Sequence, residues 1–244
     1  MKKKNKMQVA ILAGGKGTRL GDTTKKIPKP MVKLLKLPLL VHIILSYQKQ
    51  GFSNFIILTG YKSTIISNYF KKKNKLLKNL SIKCVFTGVN TLTGTRVLKL
   101  KNYINDNNFL LTYGDGLCDV NIQKTINFHK KKNSIITMTA VRPPARFGEL
   151  FLTGSKVTEF KEKYKMQRGW INGGFFVVNK EFFKSIPKKN VMLEKEPIIN
   201  ALKGKKVFAF KHEGFWRCID NIRDLYQLET EFKKTKKYPW LKNK

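Results

Sequence analysis

Hydrophobic positions along the chain fall into short continuous runs set between stretches of helical period, the pattern of an alternating β/α chain. Val9 to Ala13 is wholly apolar, and Asn54 to Thr59 and Phe109 to Tyr113 are nearly so; such runs predict strands buried on both faces. Pro38 to Gln50 predicts a helix, with proline suited to its first turn and Gly51 to its C-terminal cap. Ser63 to about Phe70 predicts a second helix, followed by a charged surface connection over residues 71–80. Ser81 to Phe86 predicts a strand, and the polar loop 87–96 opens a helix running through Tyr103. Asp119-Val-Asn121 is expected to cap a helix from Ile122 to about Lys131, before a strand from Ser134 to Val141. The alternation implies an α/β fold of Rossmann-like type: an open, mixed, mainly parallel sheet flanked by helices.

The pattern changes near Arg142-Pro-Pro-Ala-Arg-Phe-Gly148. Strands at 149–152, 157–160 and 170–178 now lie close together without long helices between them. They predict a smaller antiparallel region forming a second wall against the sheet. Short helices at 180–185 and 196–203, a strand at 207–211 and a closing helix from about 221 to 233 complete the chain. A single domain over 1–244 is expected, its halves at about 7–141 and about 142–234, with basic ends at 1–6 and 235–244.

Candidate chemistry gathers where the predicted strands end. Val9–Ala13 runs into Gly14, Gly15 and Gly17, glycines that let an anion approach the main chain. Arg19 supplies a cationic fork, and Lys29 is held between Pro28 and Pro30. The spacing matches neither the G-x-x-x-x-G-K-[ST] phosphate loop nor the G-x-G-x-x-G dinucleotide turn. Asp115 lies between two glycines at the end of a buried strand, where α/β sheets place ligands. Asp220 follows an apolar run and precedes a helix, so it reads either as an N-cap or as a partner of Asp115 across a cleft. Two carboxylates with substrate phosphates suit Mg²⁺. The start of the helix opened by the loop 87–96 offers a place for backbone and hydroxyl groups to read a base or phosphate.

Composition narrows the function classes. A formal net charge of +35, from 50 basic and 15 acidic side chains, invites a nucleic-acid reading. Lysine dominates and is spread from Lys2 to Lys244, which argues against one dedicated groove. A basic surface still attracts nucleotides. Cys84, Cys118 and Cys218 lack metal-ligand spacing and fit a reduced, intracellular protein. The basic start is followed by too short an apolar run for a signal peptide, so a cytoplasmic protein is expected. His42, His129 and His212 share no catalytic spacing, and no Ser/His/Asp or Cys/His arrangement is evident.

The segments LAGGKGTRL at 12–20 and Pro28-Lys-Pro30 resemble the signature of the sugar-1-phosphate nucleotidylyltransferases. TGVNTLTGTR at 87–96, LTYGDGLCDVNI at 111–122, RPPARFGEL at 142–150, WINGGFFVV at 170–178 and GFWRCIDNIRD at 214–224 resemble its cytidylyl branch. The resemblance runs from Val9 to about Trp240. It implies the reaction CTP + α-D-glucose 1-phosphate → CDP-glucose + pyrophosphate, for surface-polysaccharide sugar supply. It maps nucleotide contacts onto Leu12, Ala13, Gly14, Gly15, Lys16, Gly17, Thr18, Arg19, Thr91, Arg96 and Gly114. It maps sugar-phosphate contacts onto Lys29, Glu162, Lys163 and Asn172, and Mg²⁺ ligands onto Asp115 and Asp220. Arg19, Lys29 and Asp115 are the implied catalytic residues. The implied partners are CTP, or another NTP, and a sugar 1-phosphate, with no specific nucleic acid and no membrane. The chain departs from that branch at Thr93-Gly-Thr-Arg96, Glu162-Lys-Tyr164 and Cys218-Ile219. A shortened stretch between Phe70 and Thr87 replaces an insertion tied to assembly in the branch, which leaves homo-oligomerisation open.

Overall fold

A computed structural model describes residues 7–72, 75–143, 148–161, 169–204 and 206–241, without the side chains of Arg19, Asp22, Thr23, Glu149 and Lys161. In chain order the elements are β1 (Val9–Ala13), α1 (Asp22–Lys26), β2 (Lys33–Leu34), β3 (Leu37–Pro38), α2 (Leu39–Lys49), β4 (Asn54–Thr59), α3 (Ser63–Lys71), β5 (Ser81–Phe86) and α4 (Thr93–Lys99). They continue with β6 (Asn108–Tyr113), β7 (Gly116–Cys118), α5 (Ile122–Lys131), β8 (Ile136–Val141), β9 (Glu149–Thr153), β10 (Lys156–Lys161), β11 (Ile171–Asn179), α6 (Glu196–Lys203), β12 (Val207–His212), β13 (Trp216–Cys218) and α7 (Ile222–Thr235).

The apolar runs become a seven-stranded sheet of order β12-β8-β11-β6-β1-β4-β5. The pairs β1–β4, β1–β6, β4–β5 and β8–β12 are parallel; only β11 runs against its neighbours β6 and β8. Both faces are covered, which is why β1 is buried along its whole length. One core lies on the side of α2, with Leu40, Ile44 and Tyr47 packed against Val9, Ile11 and Phe175. The other gathers Val97, Phe109, Phe176 and Phe182. The mixed α/β sheet expected from the sequence is therefore present.

The predicted second wall divides in two. The residues expected as its longest strand lie inside the main sheet as β11, while β9 and β10 form a separate antiparallel ribbon. Periodicity could not separate these outcomes, since an apolar antiparallel strand buried on both faces reads like a parallel one. Among the described residues no helix is long and apolar enough to cross a membrane.

The topology places a crevice of the kind in which open α/β sheets take ligands. From β1 the chain steps to β4 and β5, then crosses back to place β6 on the other flank of β1. The order reverses between β1 and β6, and a crevice opens beyond their carboxyl ends.

Candidate active site

A cavity of about 340 Å³ occupies that crevice. Its lining includes Leu12, Ala13, Gly14, Gly15, Gly17 and Thr18 from the first strand and turn. Lys29, Thr91, Arg96, Gly114 and Asp115 complete the predicted residues on the wall. Lys16 is exposed in the same turn, outside the lining. The side chain of Arg19, and residues Glu162 and Lys163, lie outside the described residues.

The turn is shaped by two close approaches. Gly17 has φ +64°, and a Cβ there would come within 2.6 Å of the Lys29 Cβ. A Cβ on Gly14 would overlap the Arg96 guanidinium. Glycine is thus required where the loop meets each of two cations.

Asp115 and Asp220 are far apart in sequence, and a small ribbon brings them together. β7 begins just after Asp115, and β13 ends two residues before Asp220. The two pair antiparallel, with Cys218 opposite Gly116, and Ile219 N–H donates to the Asp115 carbonyl at 2.9 Å. The Lys29 Nζ then donates to Asp115 Oδ2 at 2.7 Å and to Asp220 Oδ1 at 2.9 Å. Burial opposes the charge on Lys29, but the Asp115 and Asp220 carboxylates outweigh it and hold the ammonium above its ordinary pKa. The N-cap reading of Asp220 is corrected: Asn221 caps α7 in a capping box with Asp224, and the Asp220 carboxylate meets Lys29.

Asp115, Asp220 and the Cys218 thiol present atoms within 4.8 Å of one another, spacing that one metal ion spans. Burial and the two carboxylates push the Cys218 thiol well above its ordinary pKa, so the ionised donors of the group are oxygens.

Arg96 is 2% exposed and turns its donors to the protein. Nη2 donates to the Gly14 carbonyl at 2.9 Å, and Nη1 to the Thr59 carbonyl at 3.0 Å and to the Thr87 hydroxyl. It ties together the loops that follow β1, β4 and β5. The start of α4 also differs from expectation. Leu92 N–H donates to Asn190 Oδ1 at 2.8 Å, and Gly94 N–H to the Val191 carbonyl at 3.0 Å. Those donors face a neighbouring loop rather than a ligand. Thr91, whose hydroxyl donates to the Thr87 carbonyl at 2.6 Å, remains on the cavity wall. Asn172 sits at the same sheet edge, opposite Ala140, and its Oδ1 accepts from Gly174 N–H at 2.9 Å; it is outside the lining.

Leu92 and Thr93, from the loop expected to read a base or phosphate, also line the cavity, as do Tyr113 and Met192, which were not anticipated. Tyr113 directly precedes Gly114 and its position was readable. Met192 gave no signal, because its approach depends on a contact between segments a hundred residues apart.

A model of the family described as nucleotidyl transferase matches residues 8–235. The chain is 37% identical over 96% of its length to the glucose-1-phosphate cytidylyltransferase of Salmonella typhimurium, of which it covers 98%. It is 39% identical over 91% of its length to a Bacillus subtilis protein named probable glucose-1-phosphate cytidylyltransferase, of which it covers 94%. The crystal structure of HddC from Yersinia pseudotuberculosis superposes with a TM-score of 0.74 at 26% identity, covering 93% of this chain and 99% of that one. A form of HddC complexed with GMP-PN gives 0.73 at 25% identity, with the same coverage. With the glycine turn, the crevice beside β6 and the paired aspartates in place, these likenesses assign the chain: it belongs to the nucleotidyl transferase family, among the sugar-1-phosphate nucleotidyltransferases.

Proposed function

We propose that the chain joins CTP and α-D-glucose 1-phosphate to give CDP-glucose and pyrophosphate. The observation that carries this reading is Lys29 held between Asp115 and Asp220 beside the glycine turn. The choice of CTP and glucose rests on the names of the bacterial relatives. In this reading Leu12 to Arg19, Thr91 and Gly114 hold the nucleotide. Arg96 serves it from behind, by fixing the Gly14 carbonyl and so the direction of the turn. Lys29 and Asn172, with Glu162 and Lys163, take the sugar phosphate. Residues 7–141 then form the nucleotide half and 142–234 the sugar half, in an enzyme of the cytoplasm.

Asp115 and Asp220 are the residues that would hold Mg²⁺. Their hard oxygens fit an ion that takes few carboxylates together with substrate phosphates. When bound, the ion supplies charge neutralisation at the phosphates. The attacking phosphate oxygen of the sugar is already ionised at neutral pH, so the chain needs no general base. That oxygen forms a bond to the α-phosphorus in line as the bond to the β-phosphate oxygen breaks, and pyrophosphate leaves with the bonding pair. The residues act by position and charge: Lys29 orients and neutralises the incoming phosphate, and Arg19 meets charge on the pyrophosphate.

Purified protein offered each NTP with glucose 1-phosphate, followed by pyrophosphate release, tests the reading. Fastest turnover with CTP supports it, and faster turnover with GTP replaces it with a guanylyl transfer.

A further inference from the structure

A segment before α6 is bound to the cavity wall in a way that the proposed chemistry leaves unused. Residues 189–194 run alongside residues 90–95. Leu92 N–H and Asn190 Nδ2–H exchange bonds across them, to Asn190 Oδ1 at 2.8 Å and to the Asn90 carbonyl at 3.0 Å. Val191 N–H donates to Thr95 Oγ1 at 2.9 Å, and Leu193 N–H to Thr93 Oγ1 at 2.8 Å. Side chains and main chain of both segments take part, so the junction has one register.

Glu194 ends this junction and reaches further. Its Oε2 accepts from the Thr93 hydroxyl at 3.1 Å, and its Oε1 accepts from the Tyr113 hydroxyl. Thr93 and Tyr113 both line the cavity, on the α4 side and the β6 side, whereas Glu194 is outside the lining. One exposed carboxylate at the rim of the cavity therefore spans the start of α4 and the end of β6, the two elements that frame the crevice there. Tyr113 is otherwise tightly fixed. Its ring meets Phe176 edge-on at 5.8 Å, and Gly174 at φ +80° leaves no room for a Cβ beside it. Its C-terminal neighbours are Gly114 and Asp115, and Gly114 N–H is tied to the Leu12 carbonyl at 2.9 Å. A carboxylate that receives two hydroxyl bonds holds them more firmly than a neutral acceptor.

We infer that Glu194 is a positioning residue: through Thr93 and Tyr113 it fixes the width of the nucleotide crevice, and with it the discrimination among bases. The inference rests on the reading of this cavity as the nucleotide site. The bond from Tyr113 keeps β6 and Asp115 in register with the wall that carries Thr91, Leu92 and Thr93. Without Glu194 the two walls separate, and nucleotides of different size fit more equally.

The test compares Glu194→Ala, Glu194→Gln, Tyr113→Phe and the double variant Glu194→Ala/Tyr113→Phe. Whichever NTP the unaltered enzyme uses best serves as substrate, so the outcome does not depend on that NTP being CTP. Glu194→Ala should raise the KM for that nucleotide about tenfold, while kcat and the KM for the sugar phosphate change less than about threefold. The ratio of kcat/KM between the best and second-best NTP should fall by a similar factor. Glu194→Gln, whose amide oxygen still accepts from Tyr113, should restore at least half of the lost discrimination. Tyr113→Phe added to Glu194→Ala should cost little more than Glu194→Ala alone, because the bond between Tyr113 and Glu194 is then already lost.

Hydrogen exchange on the ligand-free chain supplies an arm independent of catalysis. Glu194→Ala should speed exchange in both 90–95 and 113–115. Additive effects in the double variant, an unchanged nucleotide KM, or faster exchange in only one of the two segments would overturn the inference. If the unaltered protein releases no pyrophosphate with any NTP, the functional reading fails, and the exchange arm alone decides the clamp.

Discussion

Replacing Arg96 with methionine removes the buried guanidinium and keeps an unbranched side chain of similar length. Burial draws the pKa of Arg96 down, from a value so high that the group stays charged at neutral pH. Its bonds at 2.9 Å to Gly14 and 3.0 Å to Thr59 are charge-assisted, each worth about 1.5–3 kcal/mol. Their gross loss is partly offset, because those carbonyls also accept from Tyr61 N–H at 3.1 Å and Thr87 N–H at 2.9 Å. The desolvation of the guanidinium is recovered as well. A net loss of about 2–4 kcal/mol follows, or roughly 4–16 °C in Tm for a chain of this size. Urea and thermal unfolding of the ligand-free protein measure the stability, and nucleotide titration measures the site. Stability should fall and nucleotide binding should weaken with it, since the Gly14 turn loses its anchor. Stability within about 1 kcal/mol of the unaltered chain, with binding more than tenfold weaker, would refute this. It would place the guanidinium on the nucleotide itself.

The remaining expectations concern charge. Lys29→Ala should lower kcat about 10²–10³-fold with an unchanged far-ultraviolet circular dichroism spectrum, the scale seen for loss of one transition-state donor. Asp115→Asn should abolish turnover without unfolding the chain; near-normal rates in either variant would sink the assigned roles. His129 is 2% exposed, and its ring nitrogens face Thr137 at 2.9 Å and Asn108 at 3.4 Å. Burial, with the neighbouring Lys130 charge, lowers its pKa to about 4. The unfolded chain binds a proton there that the native chain refuses, so stability should fall as pH drops from about 6.5 to about 4, by roughly 3 kcal/mol. Urea titrations across that window should lose this slope in His129→Gln; a slope of the same size in the variant would assign it to other groups.

Much of the sheet was legible because its strands are continuous apolar runs. β1, β4 and β6 are marked by Val9–Ala13, Phe55–Leu58 and Phe109–Leu111, with turn residues close behind. Gly14, Lys29 and Asp115 could be named in advance because glycines leave the main chain open around Gly14 and Asp115 and prolines confine it around Lys29. What stayed hidden depends on contacts between distant segments. The fate of the Arg96 donors follows from where the loops at Thr59 and Thr87 happen to lie, and nothing near Arg96 in sequence records it. Glu194 is one acid in a lysine-rich stretch, and its two hydroxyl partners sit about 80 and 100 residues upstream. The place of β11 in the sheet was equally unreadable, because strand direction leaves no mark on an apolar run.

The reversed strand also sets a timetable for folding. Among the described strands β8 bonds only to β11 and β12, both made after it, and β6 keeps one edge open until β11 arrives. A nascent chain ending near Val141 thus carries an unpaired β8 and an uncovered edge on β6, in apolar strands prone to pair with other chains. At a synthesis rate of roughly 5–20 residues per second, that interval lasts on the order of seconds. Residues 7–141 are therefore a poor independent folding unit, since the open edge of β6 is completed by β11 from the residues that follow. The same bonds make the sheet one cooperative body, in which the residues before and after Val141 are joined by strand pairing rather than by a linker.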